Sequence, residues 1–207
     1  MDVALLIFLI LLNGVFAMSE MALTASRKAR LQVMLEAGEP GVQSAMELHD
    51  NPTKFLSTVQ IGITSIGVLN GIVGEAAFAA TRNHMTGSRF SHLDNRLADL
   101  PNLRARLAEM RFRIDQSRSY LASTLELVEA GDAGAMPHVL ALKAVSGEMA
   151  VDVTDLAMRT CGGAAFSKHL GVERHFRDAR AAIVMAPTTD HLKEFVGRLL
   201  VGLPLFS

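Results

Sequence analysis

Two long apolar runs dominate the first 80 residues of the chain. The first is Val3–Met18, which extends with few interruptions to Ala25, and the second is Phe55–Ala80. As a helix, residues 3–25 would be roughly 34 Å long, enough to cross a bilayer. The pattern predicts two membrane-spanning helices. A signal peptide is the alternative for the first run, and a buried helix of a soluble domain is the alternative for the second.

The residues that follow the first run predict the orientation of its helix in the membrane. Arg27, Lys28 and Arg30 follow the first run directly, which places that end in the cytoplasm and the N-terminus outside. Between the runs, Leu31–Leu48 has mixed polarity, and the glycines and proline of Gly38–Gly41 break it. This stretch is predicted to be helical on both sides of the break.

The pattern changes from residue 81 onward. Thr81–Asp94 is polar and is predicted to be a loop, and Pro101 opens a long helix that Gly131 ends. The apolar residues of this helix recur at spacings of three, four and seven, which defines one helix face. The predicted face consists of Leu103, Leu107, Met110, Ile114, Leu121, Leu125 and Val128.

Three further helices are predicted in the last 70 residues. One starts at Pro137 and ends at Gly162, with Leu142, Val145, Met149 and Leu156 on one face. The second is Glu173–Met185, and the third is a last helix that begins after Thr188 or Thr189. No strand-like alternation is present, so this part of the sequence predicts an all-α bundle.

Charge follows the same division of the sequence. Residues 1–80 carry four basic and seven acidic side chains, a net charge of −3, whereas residues 81–207 carry sixteen and fourteen, a net charge of +2. Neither value suggests a nucleic-acid partner. The single cysteine, Cys161, excludes a disulfide within the chain.

The apolar half carries a resemblance to a family of membrane proteins. Its segments LLNGVFAMSEMALTASRKARL and NPTKFLSTVQIGITSIGVLNGIVGEAAFA resemble the start of the transmembrane domain of CorC/CNNM magnesium and divalent-cation transporters. The resemblance covers residues 1–80 and implies a truncated pair of membrane segments surrounded by lipid. It also implies that Ser19 and Asn70 bind a dehydrated cation such as Mg²⁺, with Glu20 and Glu75 nearby.

The second half resembles a different family. The segments RFSHLDNRLADLPNLRARLAEMRFRIDQSRSYL and ALKAVSGEMAVDVTDLAMRTCGGAAFSKHLGVERHFRDARAAIVMAPTTDHLKEFVGRLL are similar to the C-terminal helical domain of acyl-CoA dehydrogenases. The resemblance covers residues 82–207. It implies a four-helix bundle that binds FAD within a homo-oligomer or together with complementing flavoprotein domains. The FAD contacts that it implies are Arg89, Phe90, Gly162, Gly163 and Thr188.

Each of these positions, taken alone, is weak evidence for a cofactor site. A hydroxyl-capped helix N-terminus at Thr188 suits a phosphate, and Gly162-Gly163 permits close approach to the backbone, but both are also ordinary helix-end residues. The position of the family's catalytic glutamate is Ala186. Removal of an α-proton needs a base within hydrogen-bond reach, and alanine supplies none. The resemblance also begins after the family's first helix.

One fold class and three interpretations of the function follow for the whole chain. The fold class is all-α: membrane-type helices followed by an acyl-CoA dehydrogenase C-terminal-like bundle that lacks most of its first helix. The function is a flavin-binding helical domain that is inactive alone. The alternatives are a membrane protein related to divalent-cation transporters and a non-functional fusion product.

Overall fold

The computed structural model describes residues 28–50, 52–89, 95–132, 134–185 and 187–203. The first predicted membrane run lies outside these residues. Apart from one antiparallel bridge between Arg89 and Arg96, the regular structure of the described residues is helical. The helices are α1 Lys28–Glu36, α2 Val42–Asp50, α3 Pro52–Gly87, α4 Pro101–Glu129, α5 Ala135–Cys161, α6 Val172–Val184 and α7 Thr189–Leu200.

The chain divides at Gly62 into two compact units. In the first unit, α1 and α2 pack against each other and bury Leu31 and Val42. The turn between them contains Gly38 at φ 74° and Gly41 at φ 87°. Both values lie in the left-handed region that glycine tolerates best, so the predicted break between two helical stretches is confirmed.

The second unit, Ile63–Leu203, is built around α5. This helix packs against α4, α6 and α7, and it is buried on most of its surface. The central cluster draws apolar side chains from four helices and from the turn after α5. It consists of Ala77, Met110, Ile114, Met149, Val153, Leu156, Ala157, Cys161, Ala165 and Val172.

The bundle has its first helix, contrary to the sequence expectation. Helix α3 continues to Gly87, and its residues from Gly67 onward pack against α4 and α5. Asn70 Nδ2 donates a hydrogen bond to Ser146 Oγ on α5 at 3.1 Å, and Ala77 is fully buried in the core. The expectation that most of the first helix is missing was therefore wrong.

The expected loop at residues 81–94 was also wrong in its first half. Thr81 is fully buried, and its hydroxyl donates to the carbonyl of Ala77 at 2.8 Å. Met85, one turn further, is 1% exposed. A threonine that satisfies its hydroxyl within the preceding turn can stay in a buried helix, so its polarity does not end α3.

A cluster of charges joins α3 to α4 on the outside of the bundle. Glu75 accepts two hydrogen bonds from the guanidinium of Arg111, at 3.0 and 3.1 Å, and a third from Arg118 at 2.5 Å. The bond from Arg111 is the main cause that lowers the pKa of Glu75 below its usual range. The carboxylate is therefore ionised at neutral pH and holds the two helices together.

The two apolar runs predicted membrane helices. Within the described residues, no helix combines the length and the apolar character that a membrane crossing requires.

Two glycines of α3 test whether this helix belongs to the bundle. A Cβ at Gly74 would meet Met149 Sδ at 3.0 Å, whereas a Cβ at Gly71 would meet nothing within 4 Å. We expect Gly74→Leu to lower the free energy of unfolding by about 2 kcal/mol through overpacking. Gly71→Leu should leave it unchanged or raise it by up to about 1 kcal/mol, because leucine favours the helix.

The measurement is chemical unfolding of the full chain followed by circular dichroism. Equal stabilities for the two leucine variants would contradict the packing of α3 against α5.

Candidate functional site

The end of α5 forms an open glycine turn. Gly162 has φ 57° and ψ −139°, a conformation that L-residues with side chains rarely adopt, and it starts the short 3-10 turn Gly162–Phe166. Gly162 and Gly163 are exposed, and no heavy atom lies within 4 Å of the position of a Cβ at either residue. This surface can therefore accept a flat group directly against the backbone.

Two buried residues with polar side-chain atoms directly precede the glycine turn. Thr160 is 4% exposed, and its hydroxyl has no hydrogen-bond partner among the described residues. The Cys161 thiol donates to Thr81 Oγ1 at 3.8 Å, and burial raises the pKa of this thiol. Cys161 is therefore a packed thiol, whereas the Thr160 hydroxyl retains an unused hydrogen-bonding capacity.

The start of α7 is capped by Thr188, as the sequence predicts. Thr188 Oγ1 accepts from the backbone N–H of His191 at 3.4 Å and lies 3.0 Å from His191 Nδ1. Asp190 lies in the first turn and is exposed. Its negative charge opposes the attraction of this helix terminus for a second anion.

A buried lysine holds the segment that leads into α7. Lys143 on α5 is 1% exposed, and its Nζ donates to the carbonyls of Met185 at 3.0 Å and Pro187 at 2.7 Å. The charged donor thus fixes the backbone on both sides of position 186. Ala186 itself lies outside the described residues.

Lys143 was not among the predicted site residues, because those were chosen as residues that would contact a ligand. A signal was present, since the lysine lies in a run whose other members are apolar or small, Val139–Gly147. A lysine within such a run on a buried helix needs hydrogen-bond acceptors.

The other predicted site residues have different surroundings. Arg89 is exposed and pairs through its backbone with Arg96 in the antiparallel bridge. Phe90 and Ser19 lie outside the described residues. Asn70 is 5% exposed and directs its amide at Ser146 inside the bundle.

The magnesium site stays a prediction. Among the described residues, no group of three or more histidine, cysteine, aspartate or glutamate side chains is arranged to hold a metal ion.

The surface around the glycine turn fits a flavin in one respect. The turn leaves open space above two residues that lack side chains. The residues that would hold the cofactor on this side are Gly162 and Gly163. Thr188, the other expected contact, follows the segment held by Lys143 towards the opposite end of α5.

Comparison with protein families accounts for both halves of the sequence. The family described as Acyl-CoA dehydrogenase, C-terminal domain, matches residues 71–187, and the family described as Cyclin M transmembrane N-terminal domain matches residues 4–110. Each match covers more than half of the 207 residues, so the chain belongs to both families and has the character of a chimera. The two matches overlap at residues 71–110.

Individual relatives divide in the same way. The polyamine export protein of Escherichia coli (strain K12) is 38% identical over 78 residues, which are 38% of this chain and 17% of that protein. The cyclohex-1-ene-1-carbonyl-CoA dehydrogenase of Geobacter metallireducens is 29% identical over 105 residues, which are 51% of this chain and 28% of that protein. The chain thus spans less than a third of the length of either relative.

Solved structures share the fold of the bundle. Butyryl-CoA dehydrogenase from Megasphaera elsdenii has a TM-score of 0.66 at 21% identity, covering 72% of this chain and 38% of that chain. An acyl-CoA dehydrogenase from Geobacillus kaustophilus has a TM-score of 0.64 at 23% identity, covering 72% and 37%. The bundle therefore has the fold of the C-terminal helical domain of these enzymes.

The lysine contact is tested by replacement with a side chain of similar length. We expect Lys143→Met to lower the free energy of unfolding by about 2–4 kcal/mol, because two part-buried carbonyls lose a charged donor whose stem is buried. Amide exchange at residues 188–192 should also become faster. Urea unfolding and hydrogen exchange measure the two effects.

Lys193→Met is the matched control, since Lys193 is exposed and pairs with Glu148 at the surface. A loss of stability no larger than that of the control, with unchanged exchange at the start of α7, would contradict the role of Lys143.

Proposed function

We propose that residues 63–203 form a flavin-contacting helical domain of the acyl-CoA dehydrogenase type, which requires complementing domains to retain FAD. The observation that carries this proposal is the exposed Gly162-Gly163 turn at the end of α5, with space above both residues. The fold and the family match support it.

The fixed backbone at the start of α7 supports the proposal further. Lys143 holds the segment around position 186, and Thr188 caps the helix that follows, so both sides of the segment are anchored. A preorganised surface binds a rigid ring with less loss of conformational freedom. In this proposal Gly162 and Gly163 contact FAD at the C-terminal end of α5. Thr188 follows the segment held by Lys143, which is roughly 28 Å along α5 from Gly162, so it makes a separate FAD contact.

We further propose that this domain does not oxidise acyl-CoA on its own. A bound flavin would supply an acceptor for hydride, but the α-proton of a thioester must be taken by a base of the protein. The residue that would supply it is Ala186, which has no titratable group. The chain therefore contributes to cofactor binding and not to proton removal.

The test uses the full chain together with the first two domains of an acyl-CoA dehydrogenase whose own C-terminal helical domain has been removed. We expect FAD absorbance to elute with the chain only when these domains are present. Gly163→Leu should reduce the retained FAD at least tenfold, because its side chain fills the space above the turn. FAD retained after gel filtration is the measured quantity.

Gly197→Leu is the control, because a Cβ at Gly197 also meets nothing within 4 Å and lies on α7, away from the turn. In the complemented protein, Ala186→Glu should allow reduction of a dye by acyl-CoA, whereas the unchanged chain should not. The proposal fails if no FAD is retained with the complementing domains, or if Gly163→Leu retains as much as the control.

A second function concerns the N-terminal part of the chain. We propose that the residues that precede the bundle, 4–62, attach the chain to a membrane, as a remnant of a transporter domain. The family match at residues 4–110 and the 38% identity to a polyamine export protein support this. The same proposal includes transport of polyamines or of a divalent cation by this part of the chain.

Carbonate extraction of cells that express the full chain tests the attachment. We expect the chain to stay in the membrane pellet at alkaline pH, because apolar segments inserted in lipid are not released by loss of surface charge. A chain without residues 1–27 should be released to a greater extent. Complete release of the full chain into the supernatant would contradict the proposal.

A further inference from the structure

A groove of about 720 Å³ runs between α3 and α4, with α5 as its floor. It lies within the second unit and is separate from the glycine turn, which contributes none of its lining residues. Its volume is in the range of small-molecule sites in proteins.

The walls of the groove are apolar over most of its length. Ile114 and Met149 lie in the core beneath it, and Leu142 on α5 and Leu121 on α4 line it. On the α3 side, Ile72 is 59% exposed. Apolar side chains left in water at the rim of a groove mark a surface that gains from an apolar ligand.

Arginines provide the charge of the groove. Arg111 is occupied by Glu75 and by Asp115, whereas the one side-chain partner of Arg118 among the described residues is Glu75. Arg82 also lines the groove, and its guanidinium has no partner among those residues. The lining therefore contains three guanidiniums and one carboxylate, an excess of two positive charges.

Arg118 is the best placed of these side chains to bind an anion. Its side chain is 64% exposed and uses one nitrogen for Glu75, so further N–H donors of its planar fork stay available. Leu121 lies one turn further along α4 on the same side of the helix, next to the apolar wall. A positive donor thus adjoins an apolar channel.

We propose that this groove binds an amphipathic carboxylate, a fatty acid with an unbranched chain. The carboxylate pairs with Arg118, and the chain lies against Ile72, Leu121 and Leu142. The guanidinium and the carboxylate match in geometry and charge, and an aliphatic chain matches the apolar part of the wall. This inference does not depend on flavin binding.

The test is photo-cross-linking of the purified full chain with dodecanoate that bears a diazirine near the end of its chain. Peptide mass spectrometry should place the adduct on α3 or α4, within residues 67–82 or 114–121. Unlabelled dodecanoate should compete, and octanoate should compete at least tenfold less well, because each methylene buried contributes up to roughly fourfold in affinity.

Two variants separate the groove from general adsorption. Gly71→Leu places a side chain in the groove, where a Cβ meets nothing within 4 Å, and should abolish the adduct. Gly197→Leu adds the same side chain to α7 and should leave the adduct unchanged. Arg118→Gln should weaken binding at least fivefold, with unchanged helical content by circular dichroism.

Two uncharged or cationic competitors test the role of the carboxylate. Dodecanol and dodecyltrimethylammonium should compete at least fivefold less well than dodecanoate. The proposal is overturned if either competes equally, if Gly71→Leu keeps the adduct, or if the adduct spreads over the chain as in adsorption of a detergent. None of these readouts involves flavin, so they are independent of the proposed cofactor binding.

Discussion

The close packing of α3 against α5 is the contact on which the bundle depends. Gly67 and Gly74 bring the two helices so near that a Cβ at either position would lie 3.0–3.3 Å from an α5 side chain. Asn70 lies between them and finds its partner in Ser146. Without this helix, the surfaces of α4 and α5 that it covers would be exposed to water.

This packing explains why one stretch of sequence fits two families. Residues 71–110 fall within both matches, and they include the buried half of α3 and the start of α4. A helix buried in a protein and a helix in lipid both select apolar and small residues, and both require a partner for an asparagine. Composition alone therefore cannot assign Phe55–Ala80 to either environment.

The helix ends were predictable because local chemistry determines them. Pro101, Gly162 and Thr188 act at the positions where the sequence places them, as helix start, C-terminal glycine and N-terminal cap. The course of α3 past Thr81 was not predictable. The sequence shows only a threonine, and it does not show whether the hydroxyl bonds within its own helix or lies in a loop. Burial in the second half of α4 also differs from the predicted apolar face, because Thr124 is buried and Leu125 is 38% exposed.

The candidate site shows the same limit. Its glycines and its cap were identified from the sequence, but the lysine that fixes the segment before the cap was not. The contacts of Lys143 with Met185 and Pro187 join residues more than 40 positions apart, which no local pattern specifies. The two halves of the sequence were interpreted as parts of different proteins, yet the bundle takes its first helix from the apolar half.

Hydrogen exchange of the full chain tests this account most directly. The amides of residues 67–85 on α3 should be protected as strongly as those of residues 142–157 on α5, because both are released only when the bundle unfolds as a unit. Exchange on α3 at rates typical of an isolated helix, with α5 still protected, would show that the apolar half is not part of the bundle.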